Sequence, residues 1–335
     1  MTQQGGGGAG GAAKETSGLR VVVAALAVNV AIAIFKFIAA FFSRSSAMLA
    51  EACHSTADTA NQIFLLIGMR KSARPPDRDH PFGYGPETYF WAFMVALCIF
   101  SVGGFFSVHE GVEKILHRHD PAAELSDARW AYVVLGVSIL LESYSFSVAM
   151  REFRHIRAGR GVRRTLEETR DPTVLTVLFE DLAALFGLVV ALGGILLAHV
   201  TNNVAWDGAA SIVVGLALGA VAFVLARDTK SLLIGQSVNE ADEQKIRDVV
   251  RANRDVVELV HLRTMHMAPE EVIAAIKVRF LGNLDTRTLE LRINEIEAAL
   301  RRELPRLRRI YIEPGFNEEP ARQSSLNLPT TRKGA

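Results

Sequence analysis

Met48-Leu-Ala-Glu-Ala-Cys-His-Ser-Thr-Ala-Asp-Thr-Ala-Asn-Gln62 is the stretch on which the reading of this chain turns. His54 and Asp58 are four residues apart, and Glu51 and Asn61 extend their stripe by three residues each way, so on a helix all four share one face. In a soluble helix such a stripe is an ordinary solvated surface. Here it lies inside an apolar block. Six such blocks, at roughly 19–42, 46–69, 88–108, 130–150, 173–199 and 207–227, are long enough to cross a hydrocarbon layer of ~30 Å, which takes ~20 helical residues. Lipid offers backbone groups no partners, so each block is expected to be a helix. The polar stretch therefore belongs to the second of six transmembrane helices.

The rest of the composition agrees. The chain has 335 residues, 50% hydrophobic and 22% charged, and its 37 Lys and Arg nearly balance 36 Asp and Glu. A nucleic-acid partner, which calls for a large basic excess, is not expected. Two cysteines, Cys53 and Cys98, exclude a disulfide framework and a Cys-rich zinc module. Residues 1–18 are Gly-rich without the basic start and apolar core of a signal peptide, and are expected to be a disordered, uncleaved tail. Basic residues fix an orientation. Arg70, Lys71, Arg74 and Arg78 follow the second span, and Arg151, Arg154, Arg157, Arg160, Arg163, Arg164 and Arg170 follow the fourth. The opposite side carries Arg44, Lys114, Arg118 and Arg129. This bias places both termini in the cytoplasm of a multi-pass protein, expected in a bacterial inner (plasma) membrane.

The six spans form an expected domain over 19–234. A second domain is expected over 235–316, with a helix carrying Ile246, Val249 and Val250 on one face, alternating segments at 256–266 and 271–281, an amphipathic helix near 285–303 and a short strand at 309–313. That order predicts a small sheet with two helices on one face. Residues 317–335 are expected to be a disordered tail.

Ionisable groups inside spans cost roughly 2.5–3.5 kcal/mol each on insertion scales unless paired or facing a wet cavity, so they mark function. His54 and Asp58, one helical turn apart, can both reach a cation of borderline softness. In the fifth span Glu180 and Asp181 lie about 100° apart around the axis, so one is expected to face such an ion and the other to support it. Lys36 in the first span is expected to pair structurally with Glu142 in the fourth. Asn29 is expected to bond between helices and Asp207 to be met by interfacial water. Gly215 and Gly219 have a spacing that permits close helix contact.

Three passages, Ser45-Ser-Ala-Met-Leu-Ala-Glu-Ala-Cys-His-Ser-Thr-Ala-Asp58, Asp79-His-Pro-Phe-Gly-Tyr-Gly85 and Phe179-Glu-Asp-Leu-Ala-Ala184, together resemble the cation diffusion facilitator family, nearest to the branch that includes the mitochondrial zinc transporters of animals. The resemblance implies a homodimeric antiporter, with no prosthetic group, that exports zinc from the cytoplasm against protons. It implies a transport site at His54, Asp58 and Asp181. The family's fourth position falls on Val177, which cannot bind metal, so Glu180, Asn61 or water is expected to supply the fourth ligand. Manganese, iron, cobalt or cadmium stay open as cargo for a site so rich in oxygen. A loop site is implied only in part: Asp77 and His80 match, whereas Tyr84 replaces a histidine. Gly83 and Gly85 read as turn formers.

The family also implies a ferredoxin-like, metallochaperone-like cytoplasmic domain that dimerises. Its metal-binding positions are Val260, Lys277 and Glu313 here, so dimerisation is expected without those metals. His261 and His266, five apart on one strand, point to opposite faces. Two rival classes carry different expectations. A non-transporting membrane metal sensor or scaffold would bind without flux, and a small organic-cation exporter would need an aromatic-lined cavity. No nucleotide-binding loop or nucleophile motif favours an enzyme.

Overall fold

A computed structural model describes residues 8–43, 46–116, 128–157 and 172–315. The described chain forms two compact units, the first of residues up to Gln236 together with Met267–Glu270, the second of Ser237–His266 and the residues from Glu271 onward. In the first, α1 (Gly8–Ser43) and α2 (Ser46–Ser72) pack against each other as the two-residue connection requires. The third span is composite: α3 (Glu87–Cys98), a π-helical segment (Ile99–Phe105) and α4 (Phe106–Leu116) run on without a break. Then come α5 (Ala128–Arg157), α6 (Pro172–Thr201) and α7 (Ala205–Leu233). Among the described residues, five helices are long and apolar enough to cross a membrane. The sixth, α2, has the length, 27 residues or about 40 Å, but carries the polar stretch.

Two expectations are corrected. Residues 8–18, read as part of a tail, belong to α1. Once the apolar span has nucleated a helix, Ala12, Ala13, Lys14 and Glu15 continue it at little cost. Asp207 is met by protein: Lys114 Nζ lies 2.9 Å from its Oδ2 and 3.0 Å from Glu110 Oε1. The tails at 1–7 and 316–335 and the loop positions Arg44, Arg118, Arg160, Arg163, Arg164 and Arg170 lie outside the described residues.

One apolar core draws on all six spans, through Val22, Leu65, Val95, Phe153, Val177 and Leu225 among others. The third and sixth spans approach backbone to backbone. A Cβ on Gly208 would lie 2.8 Å from the Gly111 carbonyl oxygen, and one on Gly215 would lie 2.7 Å from that of Gly104. The working spacing is therefore Gly104/Gly111 against Gly208/Gly215, two turns apart on each helix. Gly219, the other half of the expected motif, has open space at its Cβ position. After α7 the chain turns at Gly235, whose φ of 98° only glycine adopts freely.

The second unit contains α8 (Glu240–Arg251), β1 (Val256–Ala268), β2 (Glu271–Phe280), α9 (Thr286–Glu303) and β3 (Leu307–Gly315). The sheet order is β1-β2-β3, with β2 and β3 parallel across the α9 crossover. Asn239 and Asp285 cap the two helices, accepting from the Asp242 and Thr288 N–H groups. Alternate residues of β2, Val272 to Phe280, are buried with Ile246, Val250, Ile296 and Leu300, which puts both helices on one face. On the other face Lys277 pairs in register with Glu313, Nζ to Oε1 2.8 Å. That contact holds the Glu313 carboxyl below the usual range. His266 is buried while His261 is half-exposed, as their opposite facing requires.

The glycine contacts generate a test with an internal control. Gly208→Ala or Gly111→Ala should destabilise the protein in detergent by about 1–3 kcal/mol, because backbone rather than a movable side chain meets the new methyl. Gly219→Ala, with nothing within 4 Å, should not destabilise it. Equal midpoints of unfolding for Gly208→Ala and Gly219→Ala would refute the packing.

Candidate metal centre

Four carboxyl groups of the first unit lie within electrostatic reach of one another through Glu142 and Glu180. Asp58 comes from α2, Glu142 from α5, and Glu180 and Asp181 from α6. Glu142 is within electrostatic reach of Asp58, Asp181 and Lys36, and Glu180 is within reach of Asp58, Asp181 and Glu142. Glu142, Glu180 and Asp181 are buried, and Asp58 is half-buried. The chain thus concentrates ionisable groups where charge is most expensive, and the helices supply donors to them.

The donors differ between the two adjacent acids of α6, as their 100° separation requires. Glu180 faces α2, where Asn61 Nδ2 donates to Oε1 at 2.9 Å and Gln62 Nε2 donates to Oε2 at 2.8 Å. Both carboxylate oxygens are therefore held by neighbouring amides of one helix. Asp181 faces α5, where Ser145 Oγ donates to Oδ2 at 2.8 Å. Its other oxygen takes no part in that bond. Val177, one turn before Asp181, is fully buried in the apolar core.

The clamp on Glu180 leaves two acceptors over. Asn61 Oδ1 and Gln62 Oε1 are buried and make no hydrogen bond among the described residues, and neither does Thr176 Oγ1 on the facing helix. A buried carbonyl oxygen without a donor costs about 1–3 kcal/mol. A cation or a water satisfies such an oxygen.

His54 lies on α2 one turn before Asp58, but its side chain, like those of Glu51 and Cys53, is outside the described residues. Among the described residues, with His54 not counted, no three His, Cys, Asp or Glu side chains stand close enough to hold a metal ion.

The loop pair has a different setting. Asp77 Oδ1 accepts from the N–H groups of Asp79 and His80, at 3.0 and 2.8 Å, and Oδ2 accepts from the Tyr84 hydroxyl at 2.6 Å. The Tyr84 bond, then the His80 amide, holds the Asp77 carboxyl below its usual range and pushes the Tyr84 hydroxyl up. The His80 ring stacks 4.2 Å from that of Tyr84. Gly83, at φ 82°, makes the turn. Asp77 and His80 thus shape their own loop, and Tyr84, the departure from the histidine pattern, is what engages Asp77.

Two participants were not assigned by sequence reasoning. Gln62 closes the polar stretch and, four residues after Asp58, continues the His54/Asp58 stripe, a spacing that could have marked it, whereas Ser145 is a small polar residue of a kind common in helices. A signal for Ser145 exists: Ser138, Glu142 and Ser145 recur at four and three residues, and all three are buried.

Comparisons with known proteins bear on this site. Residues 22–234 match the family model described as the cation efflux transmembrane domain. The chain is 31% identical over 285 residues to the mitochondrial proton-coupled zinc antiporter SLC30A9 of Xenopus laevis, covering 83% of this chain and 50% of that protein. It is 33% identical over 268 residues to metal tolerance protein C4 of Arabidopsis thaliana, covering 79% of this chain and 56% of that protein. The magnetosome protein MamM of Paramagnetospirillum magneticum is 26% identical over 250 residues, covering 73% of this chain and 72% of that protein. The chain spans about half the length of the first two of these relatives.

The amide clamp is testable as a pair. Gln62→Met should cost about 1–3 kcal/mol by stripping a donor from a buried carboxylate. In a double-mutant cycle with Glu180→Leu the two changes should couple by at least ~0.5 kcal/mol in detergent unfolding. Strict additivity would show that the two side chains do not interact.

Proposed function

The chain belongs to the cation efflux, or cation diffusion facilitator, family, and we propose on that premise that this divalent-cation efflux transporter is a zinc/proton antiporter. Its transported ion is held by His54, Asp58 and Asp181. The observation that supports the reading is that Asp58 on α2 and Asp181 on α6 both lie within electrostatic reach of the buried Glu142 and Glu180. Asn61 Oδ1 is the fourth ligand. It lies three residues after Asp58 on the same helix face, is buried and has no hydrogen bond, and its nitrogen is anchored on Glu180. Glu180 accordingly orients Asn61 and does not touch the ion.

Proton coupling follows from charge. Carboxylates bind metal ionised and imidazole binds it neutral, so metal entry expels protons. When the ion leaves, several ionised carboxylates cannot stay buried without compensation, and protons return. An imidazole in water titrates at ~6.5, which makes a histidine the side chain suited to that exchange. We place the protein in a bacterial plasma membrane with both termini in the cytoplasm, from the bias of its basic loops. The domain beyond Gln236 forms a homodimer and carries the Lys277–Glu313 pair on the face of its sheet away from the helices.

Zinc-dependent proton flux in proteoliposomes tests the site. His54→Ala, Asp58→Ala and Asp181→Ala should each lower it by at least about tenfold, since each removes a ligand made for the ion alone. Wild-type flux in all three would reject the assignment, and binding without flux in the wild type would favour a sensor.

Val177→His should tighten zinc binding and narrow the competition profile toward zinc over manganese, because it adds an imidazole one turn from Asp181. Unchanged competition by the two metals would mean that position 177 faces the apolar core alone.

A further inference from the structure

We infer that Gln62 and Thr176 form an antechamber to the transport site, a pair of neutral oxygen donors that takes a partly hydrated divalent cation from the cytoplasm before it reaches the carboxylates. The inference rests on the transport site proposed above. Gln62 on α2 and Thr176 on α6 are fully buried, each 0% exposed. Gln62 Oε1 and Thr176 Oγ1 nevertheless make no hydrogen bond among the described residues. Buried polar atoms without partners are costly, and apolar side chains of similar size would avoid that cost. Oxygens kept at such a place are explained by something that enters and binds them.

Glu180 relates the two positions. Gln62 Nε2 donates to Glu180 Oε2 at 2.8 Å, so Oε1, on the same amide carbon, stands beside that carboxylate. Thr176 lies one turn before Glu180 on α6 and shares its helix face. Both are displaced from the proposed ligands in the same sense. Gln62 is four residues beyond Asp58, about 6 Å along α2, and Thr176 is five residues before Asp181, about 7.5 Å along α6. These shifts lead toward the end of α2 that carries Arg70 and Lys71 and toward the start of α6, the side proposed above to be cytoplasmic. A divalent ion holds its hydration shell tightly, and amide and hydroxyl oxygens replace water without adding charge. Such donors bind weakly enough to pass the ion on, as movement between successive sites requires.

Thr176→Val separates this role from packing, because valine keeps the shape of threonine and removes only the hydroxyl. If that hydroxyl has no partner in the fold, the unfolding midpoint in detergent should stay unchanged or rise. With full-length protein in proteoliposomes of known sidedness and zinc as the probe, Thr176→Val should raise KM from the cytoplasmic face by about tenfold and leave KM from the opposite face unchanged. Thr176→Ser, which keeps the hydroxyl, should restore it toward wild type. A wild-type KM from the cytoplasmic face, an equal rise from both faces or a lowered midpoint each overturns the antechamber. Should Thr176→Val fail to fold, Thr176→Cys gives a second reading. A thiol there should make zinc flux about tenfold more sensitive to cadmium than the parent protein, since soft ligands favour soft metals, and equal sensitivity overturns the inference. Failure of the underlying site looks different: zinc flux absent from the wild type, or unchanged in Asp58→Ala and Asp181→Ala, overturns the transport reading itself.

Discussion

Carboxylates buried in an apolar helix bundle must be met by something, and the first unit is arranged around that requirement. Glu180 is met by two amides of α2, Asp181 by a serine of α5, and Glu142 by the field of a lysine on α1. Each of these partners lies on a different helix from the acid that it serves. The same contacts that offset the cost of charge therefore also set how α1, α2, α5 and α6 face one another, and a shift of any one helix would strand a charge.

The third and sixth spans carry none of this chemistry. They meet through glycines, with backbone nearly touching backbone, and Lys114 ties Asp207 and Glu110 at one end of the contact. Close packing of that kind is stiff, because no side chain is available to move aside. The widened π turn at Ile99–Phe105 falls in the same span, beside Gly104. The bundle thus has a polar half that holds charge and an apolar half held by shape.

Three positions expected from the resemblance to depart from the family's pattern have structural neighbours. Tyr84, where the pattern has histidine, holds Asp77 in its loop. Glu313 and Lys277 form an ion pair on the open face of the sheet. Val177 is part of the core. In each case the substituted residue has a structural partner, so the departures leave no unpaired group behind. Among the described residues, Asn61 Oδ1, Gln62 Oε1 and Thr176 Oγ1 are buried oxygens without a hydrogen bond, and the two amides are those that hold Glu180.

The sequence by itself determined the spans, the order of elements in the second unit and the list of costly residues, because hydrophobic blocks, strand alternation and intramembrane charge are properties of local sequence. It also established that Glu180 and Asp181 must face different ways, since 100° per residue leaves no choice. Which way each faces was decided only by the tertiary structure. Nothing local in Asn61, Gln62 or Ser145 distinguishes a clamp from an ordinary helix contact, and Lys36 could equally have bent toward water. The reach of a hydrogen bond is about 3 Å, so partners separated by more than a hundred residues are fixed by how helices pack, and packing is where the sequence stops speaking one residue at a time.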